Sequence, residues 1–363
     1  MKSLLRPSLD WFFAFVPLAV ALEHASVPAP VLFFCAALAI VPIARLIVHS
    51  TEQISRRTGD AVGGLLNATF GNAPELIIAL VALKAGLLDM VRASLIGAIL
   101  ANLVLALGVS FLVGGLRHHD QHFNPVASRT YATMMLIASM SLAVPSAFSR
   151  FFAPSSTIRE EKLLNLGVSL VLLAAYGLYL LHSLKTHPNS FASVEEGGGG
   201  HAEGKAWSVG RAVGSLVVAS VLAAWMSEIL VGAAEGTGKA MGMSQTFIGL
   251  VLVAIVGGAA ESGSAVAMAR KNKMDLSVGI ALGSSIQIAL FVAPVLVVAS
   301  YFIAPQPLEL SFNRAETGSL FLGVLLGTVV CGDGHSNWYK GVQLVAVYGI
   351  LALLFYFIPD LSG

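Results

Sequence analysis

The sequence predicts an all-α polytopic membrane protein with about 11 transmembrane helices, arranged as one leading helix plus two inverted five-helix repeats. Three observations support this prediction: a composition that is 56% hydrophobic and only 11% charged, apolar runs that recur along all 363 residues, and a similarity between the two halves of the chain. Soluble domains average about 25% charged residues, so the natural solvent of this chain is lipid.

The apolar runs give the individual helices. None of them alternates like a strand of a membrane barrel, and backbone polar groups must be satisfied within lipid, so each run is expected to be an α-helix. The first run is short, since about 20 apolar residues are normally needed to span a bilayer. The runs lie near residues 10–23, 30–49, 61–84, 89–115, 129–149, 161–183, 207–236, 244–269, 275–301, 313–330 and 341–359.

The Lys and Arg residues between the runs predict the orientation. With a cytoplasmic amino terminus, 14 of the 21 basic residues fall on the cytoplasmic side and 7 fall outside. Basic residues are enriched in cytoplasmic loops, so we expect the amino terminus in the cytoplasm and the carboxyl terminus outside. The short amino terminus shows no targeting extension, and a bacterial plasma (inner) membrane is the expected location.

The polar breaks predict the domain organisation. Residues 1–28 form an N-terminal membrane segment, 29–184 a first repeat half, 185–206 a flexible cytoplasmic linker and 207–363 a second, inverted repeat half. The linker contains the run Gly197–Gly200, which a packed element would not tolerate.

The two halves are related by an internal repeat. A shift of 186 residues superimposes a spaced set of special residues of the third segment on those of the eighth, without a gap. Five segments separate the copies, an odd number, so equivalent helices must cross the bilayer in opposite directions, as in many secondary transporters. The matched pairs are Gly63 with Gly249, Gly71 with Gly257, Ala73 with Ala259, Glu75 with Glu261, Lys84 with Arg270, Asp89 with Asp275, and Gly97 with Gly283.

Each copy contains a helix-breaking motif inside an apolar segment. The first motif runs from Gly71 through Asn72 to Glu75, and the second runs from Gly257 through Gly258 to Glu261. Glycine permits torsions that stop a helix, and Pro74 suits the first position of a helix that restarts. Such a break frees carbonyl oxygens that can bind a cation.

Glu75 and Glu261 are the candidate metal-binding and proton-carrying residues. A carboxylate in mid-membrane costs at least about 2.5–3.5 kcal/mol, so two symmetric ones are expected to be functional. Together with an amide oxygen and freed carbonyls they would suit a hard divalent cation such as calcium. Without a cation, mutual repulsion and lost solvation favour proton uptake, so the sequence predicts competition between a divalent cation and protons.

Other polar residues have two interpretations. Small or polar side chains on the helices after the motifs could contact the ion or could simply allow close helix packing; they are Ser94, Asn102, Ser284 and Ser285. His118, His119, Asp120 and His122 cluster in a loop, where a helical turn could bring His118 and His122 together as metal ligands, although such loops are usually solvated. The run Gly332–His335 is expected to form a turn.

Three stretches resemble the calcium/proton exchanger (CAX) family: GGLLNATFGNAPELI, FIGLVLVAIVGGAAES and KNKMDLSVGIALGSSIQIALF. The resemblance extends more loosely from about residue 30 to the end of the chain. It implies that Glu75 and Glu261 are the central cation and proton carriers. It also implies oxygen ligands from Asn72 and Gln287, and accessory or gating carboxylates at Glu52 and Glu228, which could instead be ordinary residues near the membrane faces.

The second motif departs from the family pattern. Gly258 stands where the family usually has asparagine, and Ser262 stands where it usually has histidine. One amide ligand is therefore missing, and a backbone carbonyl or water would have to take its place. Pro74 occupies a position where the family more often has threonine or valine.

Other functions make different demands on the same carboxylates. A sodium/calcium exchanger differs only in the coupling ion, whereas a cation channel would pass current without stoichiometric proton movement. An enzyme is not expected, because no nucleophile or metal triad is apparent. No cofactor is expected beyond the transported calcium and protons. The basic residues are scattered, which argues against nucleic-acid binding. The lipid bilayer is an expected partner, and the sequence leaves open a second copy of the chain in a homo-oligomer.

Overall fold

A computed structural model of the chain describes residues 9–58, 66, 69–186 and 207–358. In these ranges a 3₁₀ turn (Leu9–Ala14) precedes twelve helices and two short strands. The helices are α1 (Phe15–Glu23), α2 (Ala29–Thr58), α3 (Ala73–Lys84), α4 (Leu88–His118), α5 (Pro125–Phe152), α6 (Ile158–Thr186), α7 (Val209–Met241), α8 (Gln245–Gly257), α9 (Ala259–Arg270), α10 (Met274–Ile303), α11 (Arg314–Cys331) and α12 (Trp338–Phe357). The strands are β1 (Asp120–His122) and β2 (His335–Asn337).

Local sequence explains several of the helix ends. The Thr157 side chain accepts the amide of Glu160 while the Glu160 carboxylate accepts the amide of Thr157, a reciprocal cap that starts α6. Asn313 and Glu316 form the same arrangement at the start of α11. At the other end of α7, Gly242 adopts a left-handed conformation with φ 67°, which glycine does without steric cost.

The helix lengths identify an integral membrane protein. Among the described residues, eight helices are long and apolar enough to cross a bilayer, and the bent pair α8–α9 would make a ninth span. The apolar helix Trp11–Glu23 is shorter. Residues 61–65 and 67–68 of the predicted third segment, which include Gly63, and nearly all of the predicted linker 185–206 lie outside the described residues. The count of eleven spans therefore stays a prediction.

Equivalent helices of the two predicted repeats pack in opposite directions. The hydroxyl of Ser50, near the end of α2, donates a hydrogen bond of 3.0 Å to the hydroxyl of Ser215, near the start of α7. At the opposite ends of the two helices, a Cβ added to Gly236 would lie 2.7 Å from the Cβ of Ala29. The helices α2 and α7 are therefore antiparallel, as an inverted repeat requires.

Two repeat glycines allow backbones of the two halves to touch. A Cβ added to Gly97 of α4 would lie 2.0 Å from the carbonyl oxygen of Leu250 in α8, and one added to Gly249 would lie 2.4 Å from the carbonyl oxygen of Met90. Side chains at these positions would force α4 and α8 apart. The spaced glycines of the repeat thus have a packing function, which is common where membrane helices approach closely.

A two-stranded ribbon joins three loops at one face of the helical bundle. Strands β1 and β2 are antiparallel, with Gln121 opposite Ser336. The side chain of Gln121 donates hydrogen bonds to the Ala269 carbonyl (3.0 Å) and to Oδ1 of Asn272 (2.7 Å), at the carboxyl end of α9. In the predicted topology an even number of spans separates these loops, so the ribbon is consistent with that topology.

The ribbon replaces the solvated loop that the sequence predicts at His118–His122, whereas the predicted turn is present at Gly332 and Asp333. Gln121 is buried, and His335 begins a strand. His118 and His122 do not form a pair: the Nε2 atom of His118 lies 3.0 Å from the Arg270 carbonyl, whereas the ring of His122 packs on that of His335.

The close contact at Gly97 gives a stability prediction. Gly97→Ala should destabilise the protein by about 1–3 kcal/mol or more, because a backbone carbonyl cannot rotate away from the added methyl group. The measurement is the melting temperature of the purified protein in detergent, with the loss of monodispersity on heating as the signal. Gly283→Ala is the matched control, since Gly283 is the repeat partner of Gly97 and an added Cβ meets nothing within 4 Å there. Equal melting temperatures for the two variants would contradict the packing argument.

Candidate ion-binding site

Glu75 lies in the first turn of α3, immediately after a break in the chain's helical path. Gly71 and Asn72 form a turn, and the helix begins at Ala73 with Pro74 as its second residue. Proline lacks an amide hydrogen, but in the first turn of a helix that hydrogen would have no acceptor within the helix, so nothing is lost. The unpaired amides and the dipole of a helix start also favour a carboxylate, and they orient Glu75 there.

Glu261 occupies the equivalent position in the second half of the chain. Helix α8 ends at Gly257 and α9 begins at Ala259, and the chain bends by 55° at this break. Glu261 is the third residue of α9, as Glu75 is of α3. The helix breaks that the two motifs predict are therefore present in both halves.

The two motifs meet inside the bundle. A Cβ added to Gly257 would lie 3.0 Å from Cγ of Glu75, so a residue of the second motif lies directly against the carboxylate of the first. The Glu75 carboxylate also lies near enough to that of Glu261 for the two charges to repel each other. Glu75 is 9% exposed and Glu261 is 8% exposed. The pair is thus buried between the halves.

The carboxylate oxygens have no partners of their own. Neither oxygen of Glu75 or of Glu261 receives a hydrogen bond from another residue in the described part of the chain. A buried ionised carboxylate without compensation is strongly unfavourable. A bound cation or a proton would supply that compensation.

A hydrogen-bonded chain of amides and a hydroxyl supports the pair. Asn72 donates through Nδ2 to Oε1 of Gln287 at 2.5 Å, and the Ser284 hydroxyl donates to Oδ1 of Asn72 at 2.6 Å. Asn102 of α4 donates through Nδ2 to the Ser284 hydroxyl at 3.1 Å. This amide network ties the first motif to α4 and α10.

Gly258 lies between the carboxylate and the amide network. A Cβ at this position would lie 3.3 Å from the Ala254 carbonyl oxygen, 3.6 Å from Oε1 of Glu75 and 3.7 Å from Oδ1 of Asn102, so it would contact both groups. Glu75 also lines a small cavity of about 20 Å³, together with Ser94, Val253 and Ile288. That volume suffices for one water molecule.

The remaining predicted residues have other surroundings. The Ser285 hydroxyl donates to the Ala281 carbonyl of its own helix at 2.9 Å, so it does not reach the amide network. Glu52 is half-buried on α2, with an oxygen 3.8 Å from Nδ1 of His49, and Glu228 is exposed on α7. Among the described residues, neither carboxylate forms a hydrogen bond or ion pair with Glu75, Glu261 or the amide network.

Sequence reasoning understated two features of the site. Asn102 was an ambiguous polar residue in the sequence, but it belongs to the amide network. The helices beside the site also contain π-helical turns: Ala101–Ala106 in α4, Ile248–Val253 in α8 and Ile288–Val292 in α10. Such turns are frequent at functional sites. The signal for Asn102 was a lone amide in an otherwise apolar segment, whereas the π turns leave no clear mark in the residues.

The donors at the site suit an oxygen-binding cation. Within the described ranges, no three His, Cys, Asp or Glu side chains form a group that could hold a metal. A cation at the Glu75–Glu261 pair would therefore draw its remaining ligands from amide, carbonyl, hydroxyl or water oxygens. These are hard ligands, which calcium prefers and which zinc and other soft metals do not.

Comparisons with known proteins agree with the geometry. A family model described as sodium/calcium exchanger protein matches residues 28–185 and 211–357. The Ca(2+)/H(+) antiporter of Aphanothece halophytica is 41% identical over 341 residues, which cover 90% of each chain. The Ca(2+)/H(+) antiporter ChaA of Bacillus subtilis is 41% identical over 347 residues, 94% of this chain and 96% of that protein. The solved structure of native YfkE has a TM-score of 0.83 at 37% identity and covers 97% of this chain and 100% of its own.

The helical bundle, with its broken helices and buried carboxylate pair, is that of an integral membrane ion exchanger. The chain belongs to the sodium/calcium exchanger protein family. The similarity to calcium/proton exchangers that the motifs predict is confirmed.

Adjacent serines on α10 provide a matched test of the amide network. Ser284→Ala should cost about 1–3 kcal/mol, because it leaves buried polar atoms of Asn72 and Asn102 without a partner. Ser285→Ala should cost much less, since its hydroxyl bonds only to a carbonyl of its own helix. Thermal unfolding of both purified variants gives the comparison, and a greater loss for Ser285→Ala would refute the assigned network.

Proposed function

We propose that this protein is a secondary antiporter that exchanges calcium, or a similar divalent cation, for protons by alternating access about Glu75 and Glu261. The observation that carries the proposal is the buried carboxylate pair, whose oxygens have no partner among the described residues. Either one divalent cation or protons can neutralise the pair. A site that must be neutralised before it can cross the hydrophobic interior binds one or the other, and this couples the two fluxes.

The ligand set of the cation follows from the surroundings of the pair. Glu75 and Glu261 would provide the charged oxygens, and the helix breaks at Gly71, Gly257 and Gly258 would provide carbonyls. The Asn72, Gln287 and Ser284 side chains orient this centre, and Asn102 joins them through its hydrogen bond to Ser284. A water in the small cavity that Glu75 lines would take the place of the amide that the family usually has at position 258. We assign Ser285 a structural role, because its hydroxyl bonds to a carbonyl of its own helix and does not contact the ion site.

The accessory carboxylates are proposed to act away from the centre. Glu52 and Glu228 lie on α2 and α7, the long antiparallel pair that packs across the two halves. A charged residue exposed in the middle of a membrane helix normally faces a water-filled cavity. We therefore assign Glu228 to a path by which ions reach the pair. We assign Glu52 to the same role because it lies on α2, the helix that packs against α7.

The predicted domains supply the moving parts. We propose that residues 29–184 and 207–363 are the two inverted halves, that 1–28 is a peripheral membrane segment, and that 185–206 is a cytoplasmic linker. The antiparallel α2–α7 contact supports this division. The basic-residue bias supports a cytoplasmic amino terminus and an outside carboxyl terminus, and we propose a bacterial plasma membrane as the location.

Radioactive calcium uptake into proteoliposomes tests the function directly. An imposed pH gradient should drive uptake, whereas an equal sodium gradient should not. Glu75→Gln and Glu261→Gln should each reduce uptake by more than roughly 100-fold, beyond the usual effect of losing a residue that only supports a metal ligand.

The control is Glu235→Gln, which makes the same change at an exposed carboxylate paired with Lys239 on α7 and should leave uptake unchanged. Three results would overturn the proposal: unchanged uptake in either site variant, uptake driven by sodium alone, or calcium current without proton movement. The second would indicate sodium coupling and the third a channel.

A further inference from the structure

Two histidines lie opposite each other on the ribbon that joins the loops of the bundle. His122 of β1 is directly opposite His335 of β2 in the antiparallel register. The ring centroids are 4.4 Å apart and the ring planes are inclined by 72°. The residues come from sequence positions more than 200 apart, so the pair exists only because the ribbon forms.

The ribbon presents both imidazoles to the exterior. Successive side chains of a strand point to opposite faces. Gln121 and Ser336 occupy the inner face and are each 1% exposed, whereas His122 and His335 are exposed on the outer face. Within the described part of the chain neither imidazole forms a hydrogen bond, so its nitrogens are not committed to another group.

We propose that His122 and His335 together bind a divalent transition-metal ion of the zinc class, at a site separate from the Glu75–Glu261 pair. Imidazole nitrogen suits zinc, nickel, cobalt and copper far better than calcium. With each nitrogen about 2.0–2.1 Å from a shared metal, the ring centroids would lie roughly 5 Å apart. Rotation of two exposed side chains brings the present arrangement to that spacing.

The charges around the pair favour a cation. Asp120 lies two residues from His122 and therefore on the same face of β1. Asp333 accepts a hydrogen bond of 3.1 Å from the His335 amide and one of 2.6 Å from Nζ of Lys340.

Lys340 is the opposing charge. Its ammonium group is held by Asp333 and by the His335 carbonyl, at 2.6 and 2.9 Å. The Lys340–Asp333 pair is neutral as a unit. Two imidazoles with water make an open site, which binds a metal more weakly than a closed site with four protein ligands.

A metal bound to both histidines would cross-link β1 to β2. The ribbon connects the end of α4 to the start of α12, and Gln121 within it holds the end of α9, the helix that carries Glu261. Because the metal binds only the folded ribbon, the melting temperature should rise with the free metal concentration and continue to rise after the site is saturated. This inference does not depend on the transport function.

Isothermal titration of the detergent-purified full chain with Zn²⁺, in the presence of excess Ca²⁺, tests the inference. We expect one site that excess calcium does not displace and a Zn²⁺-dependent rise in melting temperature. His122→Asn and His335→Asn should each abolish both effects while leaving the metal-free melting temperature unchanged, since both side chains are exposed. Either variant alone decides the matter if the other fails to fold.

His119→Asn is the matched control. His119 is exposed in the same loop, and its φ of 61° is one that asparagine tolerates. It should bind Zn²⁺ as the unaltered chain does. Zn²⁺ binding that persists in a folded His122→Asn or His335→Asn variant, that disappears in excess Ca²⁺, or that never occurs would each overturn the inference.

Discussion

Two buried carboxylates that lie near each other must be neutralised, and this electrostatic constraint determines how the surrounding residues are arranged. Glu75 and Glu261 come from opposite halves of the chain, lie close enough to repel each other, and receive no hydrogen bond from another described residue. Removing an ionised carboxylate from water costs several kcal/mol even after relaxation, and repulsion adds to that cost. The pair therefore needs positive charge, and whether a metal ion or protons supply it defines the state of the protein.

The surrounding structure positions this pair and, in the part of the chain that is described, provides no protein side chain that neutralises it. Both carboxylates lie in first turns, where helix dipoles and unpaired amides favour them. Glycines at the interface allow the two halves to approach at backbone distance, so that Gly257 lies against Glu75. Among the described residues, no lysine or arginine bonds to the carboxylates, and the neighbouring amide side chains bond to one another or to Ser284. The scaffold is thus fixed while the charged oxygens stay available.

Much of this arrangement could be predicted from the residues. The 186-residue shift predicted two broken helices of opposite direction and the glutamates after the breaks. The amide network could not be predicted, because adjacent residues on a helix point about 100° apart and the rotation of α10 decides whether Ser284 or Ser285 faces Asn72. The π turns change that rotation locally. The ribbon was also missed, since three-residue strands pair loops that are distant in sequence and carry no pattern of their own.

Proton release on calcium binding tests the central claim most directly. Calcium added to purified protein in weakly buffered detergent solution, with a pH indicator present, should release protons from the carboxylate pair. The release should be largest in acid, where both carboxyls are protonated, and should fall as the pH rises, while the apparent calcium affinity increases. Calcium binding with the same affinity at every pH and without proton release would contradict the claim that metal and protons compete for Glu75 and Glu261.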